Sequence, residues 1–221
     1  NLSKQQIIKI CDRNFIGCDQ LIFIEKDNIA DARLKFFNSD GGESGACGNG
    51  TRCIANFISK ENSNKIIILT TLSGNLKSEI LGNNLVTTEI GVAKTKWHEI
   101  PLSNEFDTLN LNIKIIDKKN NEHFGGTAVN VGNPHVIFFV DEIQNFDIKI
   151  IGPQLENHKM FPEKCNVTIA QIMNKNLIKV KVWERGAGLT KACGTAACAT
   201  AFAGKLNDLT DNNTDIEFET G

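Results

Sequence analysis

Several function classes fall to what this 221-residue chain lacks. No apolar run approaches the roughly 20 residues of a membrane-spanning helix, and the opening NLSKQQIIKI does not read as a signal peptide. Lys and Arg nowhere form a block and the net charge is −2, so neither a membrane nor nucleic acid is expected as a partner. The seven cysteines are odd in number and lack the dense spacing of a secreted disulfide scaffold, which predicts reduced thiols in a cytosol. They also lack a regular zinc pattern: five residues separate Cys47 from Cys53 and four separate Cys193 from Cys198, and Cys53 and Cys198 are expected a turn or more into the helices, facing elsewhere, so no metal is expected. GACGNGT (45–51) has Thr51 where a phosphate-binding loop needs lysine, and no acidic residue about 20 positions on supports a dinucleotide site.

Two similar stretches organise the chain. Residues 183–198, WERGAGLTKACGTAAC, follow the β-type run NLIKVKVW and lead into small residues suited to a helix. Residues 38–53, NSDGGESGACGNGTRC, follow the β-type run ARLKFF and lead into CIANFISK. The parallel extends upstream, where DQLIFIEKDNIADARLKFFN (19–38) matches CNVTIAQIMNKNLIKVKVW (165–183) as two short strands joined by a turn. Cys47 and Cys193 therefore occupy equivalent places in two half-chain units. Each is expected in the first turn of a helix, where unpaired N–H groups and the helix dipole favour ionisation and invite a carboxylate. A buried structural cysteine is the plain alternative. The duplication predicts two domains related by a pseudo-twofold axis, with the two cysteines facing each other across the cleft between them.

The remaining pattern agrees with a chain of mixed α and β character. Residues 3–13 read as a helix capped by Ser3, with Ile7, Ile10 and Cys11 on one face. Residues 65–91 read as three short strands with Gly or Asn at the corners. Residues 91–108 lack periodicity and contain the first proline, which places the interdomain passage there and gives domains 1–104 and 105–221. Residues 124–140 read as strands, and 150–164 as loop and helix.

The two cysteine loops, with GNPH (132–135) between them, resemble the diaminopimelate epimerase family over essentially the whole chain. The resemblance implies an α/β (α+β) fold of two pseudo-symmetric domains, each a β-rich, barrel-like sheet around a central helix. It implies interconversion of LL- and meso-diaminopimelate, in lysine and peptidoglycan-precursor synthesis, without pyridoxal phosphate or other cofactor. It also implies a cytoplasmic homodimer. Cys47 and Cys193 would be the catalytic pair, with His135 and Glu184 tuning their ionisation. Gly48-Asn49 and Gly194-Thr195 would cradle the reacting carboxylate. Asn38, Asn166 and Arg185 would hold the non-reacting end, Glu184 its ammonium, and Gln20 and Asn133 would make further contacts. The family's opening Gly-x-Gly-Asn-Asp/Glu-Phe strand and its final strand have no counterpart here, so both ends read as cut and one substrate ligand is expected to be missing. A proline-racemase-like isomerase would share the thiols, though proline has no second charged end for Glu184 and Arg185. A thiol redox or binding protein would keep the cysteines without needing matched helix starts.

Overall fold

The structure is a computed structural model that describes residues 2–45 and 47–220; Ala46 of the first Ala-Cys-Gly, with Asn1 and Gly221, lies outside them. Two compact units divide the chain, Asn1–Gly91 and Val92–Gly221.

In the first unit, α1 (Lys4–Cys11) starts at a capping box in which Ser3 and Gln6 satisfy each other's backbone N–H groups. A hairpin follows, β1 (Gln20–Glu25) and β2 (Ala32–Asn38), in a register that opposes Gln20 to Asn38. Next come a short β3 (Glu43–Ser44) on β2, the helix α2 (Gly48–Asn62), and β4 (Ile66–Thr71), which returns parallel to β2. The strands β5 (Gly74–Gly82) and β6 (Leu85–Thr88) extend the sheet antiparallel. Alternation along β2 and β4 turns Leu34, Phe36, Ile67 and Leu69 inward, and they close over Ala55 and Ile58 of α2.

The second unit opens with a two-stranded ribbon, β7 (Ile113–Ile116) and β8 (Glu122–Gly125). Its main sheet runs through β9 (Thr127–Asn130), β10 (Pro134–Phe139), β11 (Asn166–Asn174), β12 (Leu177–Glu184) and β13 (Gly188–Thr190). The helix α3 (Ile148–Glu156) lies between β10 and β11 in sequence. After α4 (Gly194–Leu206), β14 (Asp215–Glu217) returns parallel to β12. The order strand, strand, short strand, helix, parallel strand is thus identical in the two units; the repeat predicts the two strands, the loop and the helix, and the short strand and parallel return are added by the structure. Both faces of this sheet are covered, which is why five of the six β10 residues are buried. Val136, Phe138, Val167 and Ile169 pack with Ile148, Ile151 and Leu155 of α3, whereas α4 packs on β9, β10 and β11. From Val92 onward the aperiodic passage joins this unit: Lys94 pairs with Asn130, the Thr108 hydroxyl donates to the Thr95 carbonyl, and Ile100 and Leu102 are buried in its core.

Candidate active site

Cys47 is the N-cap of α2, and the repeat places Cys193 as the N-cap of α4. Both adopt the extended backbone of a cap, with φ −146° and −142°. At Cys47 the Gly50 N–H donates to Sγ at 3.3 Å and the Thr51 N–H to the Cys47 carbonyl at 2.9 Å. A Cβ at Gly50 would sit 2.5 Å from the terminal Cδ1 of Ile22 and 3.2 Å from the Cys47 sulfur, so any side chain there requires the Ile22 end to move aside. Gly48 is buried directly after the cysteine, while the Asn49 carboxamide accepts from Arg52 at 2.7 Å. Gln20 and Asn38 are half-buried cross-strand partners, with Gln20 Nε2 donating to Asn38 Oδ1 at 2.8 Å.

Cys193 is 6% exposed, and its Sγ lies 3.4 Å from Thr195 Oγ1. The expectation that a helix-start cysteine ionises easily does not hold for it. Burial, and then the negative charge of Glu184, push the thiol up to about 12, against the opposing pull of the Thr195 hydroxyl and the Ala196 N–H. The dipole at the start of α4 is outweighed because the sulfur is removed from water and faces a carboxylate. Glu184 in turn accepts from the Thr190 hydroxyl at 2.5 Å, a contact across the β12–β13 turn. Gly194 is half-buried beside the cysteine, and Thr195 is buried.

The face of the sheet opposite α3 carries His135 and Asn166, paired in register on parallel strands. His135 is fully buried, and its Nε2 lies 2.8 Å from Asn133 Oδ1. Burial, and then the Arg185 guanidinium, pull its pKa down to about 3, so the ring is neutral. With Nε2–H donated to Asn133, Nδ1 is left as a buried lone pair without a hydrogen-bond partner among the described residues. The Asn166 carboxamide is held at both ends by backbone. Its Nδ2 donates to the Pro134 carbonyl at 2.9 Å, and its Oδ1 accepts from the Arg185 N–H at 3.0 Å. The Arg185 guanidinium donates to the Glu163 carbonyl at 3.0 Å. In the first unit Gly48 and Asn49 follow Cys47 at the start of α2, while Gln20 and Asn38 form a separate cross-strand pair. In the second unit Glu184 and Thr195 reach Cys193, and Asn133 pairs with His135 and Asn166 with the Arg185 backbone.

Residues 1–96 and 127–221 match the sequence pattern of the family described as diaminopimelate epimerase. The chain belongs to the diaminopimelate epimerase family. It is 67% identical over its whole length to the diaminopimelate epimerase of Pelagibacter ubique, of which it covers 81%. To that of Acidiphilium cryptum it is 40% identical, again over its whole length and 78% of the relative's. Among solved structures the fold is similar to a hydroxyproline epimerase from Agrobacterium vitis, with a TM-score of 0.65 at 13% identity over 94% of this chain and 66% of that one. A Bacillus anthracis protein of the PhzF phenazine-biosynthesis family shares the fold at TM-score 0.56 and 15% identity, over 92% of this chain and 71% of that one.

Motif reading missed two residues beside the Cys193 cluster. Glu156, at the end of α3, binds the Trp183 indole and the Gly186 N–H. Gly152, one turn earlier, leaves room for the Trp183 ring. The available signal was a glycine and a glutamate four residues apart, one face of a short helix. A cavity of about 260 Å³ elsewhere in the second unit is lined by Asp117, His123, Phe124 and Phe146 and by none of the expected residues. Its Asp117 is held well below the usual carboxylate range, chiefly by Asn121 of its own turn.

Proposed function

We propose that this protein interconverts LL-2,6-diaminopimelate and meso-diaminopimelate by moving one α-proton, with Cys47 and Cys193 as base and acid on opposite faces of the α-carbon. The observation that carries this is the cysteine N-cap repeated in two units of identical strand–helix order. Inversion by proton transfer needs a base on one face and an acid on the other, and two equivalent thiol positions supply both, exchanging roles with direction. The elevated pKa of Cys193 suits the acid, since the thiol stays protonated at neutral pH until a carbanion develops beside it. The N–H groups at the starts of α2 and α4, with Gly48-Asn49 and Gly194-Thr195, would bind the reacting carboxylate as its charge grows. No pyridoxal phosphate or metal takes part in this scheme.

The non-reacting amino-carboxylate end falls to Arg185, Glu184, Asn38 and Asn166, with Gln20 and Asn133 as further contacts. Asn166 keeps one amide hydrogen and one lone pair beyond its two backbone bonds, enough to serve a ligand as well. His135 acts in this reading through Asn133, whose carboxamide it orients, and Glu184 acts on Cys193 directly. We place the protein in the cytoplasm, as a homodimer, on the resemblance alone.

The test is incubation with LL-diaminopimelate in deuterium oxide, with reductant and no cofactor. Meso product carrying deuterium at the inverted carbon is the expected result. Product without solvent deuterium, or none from a folded and reduced protein, would overturn the two-thiol scheme.

A further inference from the structure

Glu156 holds a carboxylate where the helix itself disfavours one. It is the last residue of α3 and only 7% exposed, at the end where the backbone dipole is negative. The compensation comes from the segment leading into the second cysteine loop. Oε2 accepts the Trp183 indole N–H at 2.7 Å, Oε1 accepts the Gly186 backbone N–H at 3.0 Å, and the Lys164 ammonium lies 3.8 Å from Oε1. These first two donors stand immediately before and immediately after the dipeptide Glu184-Arg185. The Trp183 ring is seated against Gly152, where any Cβ would collide with it. One face of α3, Gly152 and Glu156, therefore receives both ends of the segment. Asn166 takes the Arg185 N–H between them.

We propose that Glu156 is a positioning residue whose carboxylate clamps the chain on both sides of Glu184-Arg185 and so aims those two side chains at the substrate. The proposal rests on the reading of Glu184 and Arg185 as ligands of the non-reacting end. A carboxylate is required because both of its oxygens accept from fixed donors. Glutamine has the same size but offers one acceptor and one NH2 group, which would face either the indole N–H or the Gly186 N–H. The turn then has to shift, and the two charged side chains shift with it.

The test compares Glu156→Gln, Trp183→Phe and Arg185→Lys with the parent protein, using diaminopimelate and, by long-incubation deuterium exchange, lysine, which lacks the distal carboxylate. For Glu156→Gln, KM for diaminopimelate should rise about tenfold while kcat changes less than about threefold. The preference for diaminopimelate over lysine should fall by about the same tenfold factor. Trp183→Phe removes the indole N–H and keeps an aromatic ring, smaller than the indole, against Gly152, so it should move both quantities the same way by less; it also carries the test if Glu156→Gln does not fold. Adding Trp183→Phe to Glu156→Gln should recover part of the loss, because the amide no longer opposes the indole. Equal losses on both substrates would mean that Glu156 only stabilises the fold, and would overturn the proposal. If Arg185→Lys raises KM but Glu156→Gln and Trp183→Phe do not, the clamp is wrong and the distal-end reading stands. If Arg185→Lys leaves KM and preference unchanged, the distal-end reading falls and the clamp falls with it.

Discussion

Replacing Sγ of Cys47 or Cys193 by a hydroxyl keeps a small polar side chain at each helix start and changes the property that the proposed chemistry depends on, the acidity of the group. Cys47→Ser and Cys193→Ser should each slow epimerisation by several orders of magnitude, because serine is a far poorer acid–base partner near pH 7. Cys53→Ser and Cys198→Ser, both at exposed positions, should leave turnover near the parent value. Steady-state assays under reductant decide between these outcomes. His135 makes a second residue-scale expectation. Its pKa is depressed by burial from 6.5 to about 3, so below pH 6.5 the unfolded chain takes up a proton that the folded protein refuses. The stability it contributes is present above pH 6.5 and is lost as pH falls toward 3, with a slope of up to about 1.4 kcal/mol per pH unit. Between pH 6.5 and 4 the parent should lose stability more steeply than a His135→Asn variant, as read from urea midpoints; parallel slopes would show that this ring is not buried in its neutral form.

Helix starts are the elements on which the proposed site depends, and their tolerances are steric. At Gly50 an added methyl meets Ile22 and the Cys47 sulfur, so Gly50→Ala should cost about 1–3 kcal/mol as overpacking. Activity should fall beyond that loss in so far as the Cys47 sulfur, the second-nearest atom at 3.2 Å, gives way along with Ile22. Gly125→Ala is the matched control on a strand, with its nearest neighbour 4.0 Å away in Phe138, and should be close to neutral. Thermal unfolding and kcat measured together separate the two; equal effects at both positions would mean that the start of α2 yields without moving Cys47.

Across the molecule, selectivity is the sharpest check on the assignment. A site that commits Glu184 and Arg185 to the non-reacting end leaves them unpaired when that end is missing, and hydrogen bonds to charged groups are worth roughly 1.5–3 kcal/mol each. Lysine should therefore be racemised at least about 10³-fold less efficiently than LL-diaminopimelate, and alanine and proline less again. Comparing kcat/KM under identical reducing conditions tests this. Lysine or proline within about tenfold of diaminopimelate would remove the substrate assignment and leave a two-thiol racemase. Sedimentation at micromolar concentration tests the proposed homodimer, and a single boundary at the monomer mass would exclude it there.

Local signals in the sequence determined a large part of this protein. The alternation in ARLKFFN marks β2 to the residue, and Ser3 with Gln6 marks the start of α1, because side-chain alternation and capping depend on neighbours a few positions away. The two Ala-Cys-Gly loops likewise point to paired helix starts without any knowledge of packing. Tertiary structure decided the electrical state of the groups so placed. Cys193 is protonated because β12 brings Glu184 to a sulfur already withdrawn from water, which a helix-start motif cannot convey. His135 is neutral because both faces of its sheet are covered. Glu156 lies 27 and 30 residues before the two groups it binds, and only the docking of α3 on the sheet brings them within hydrogen-bond reach. Periodicity and turn chemistry are short-range and can be read along the chain; desolvation and Coulombic neighbours depend on which segments meet, and exist only once the chain has folded.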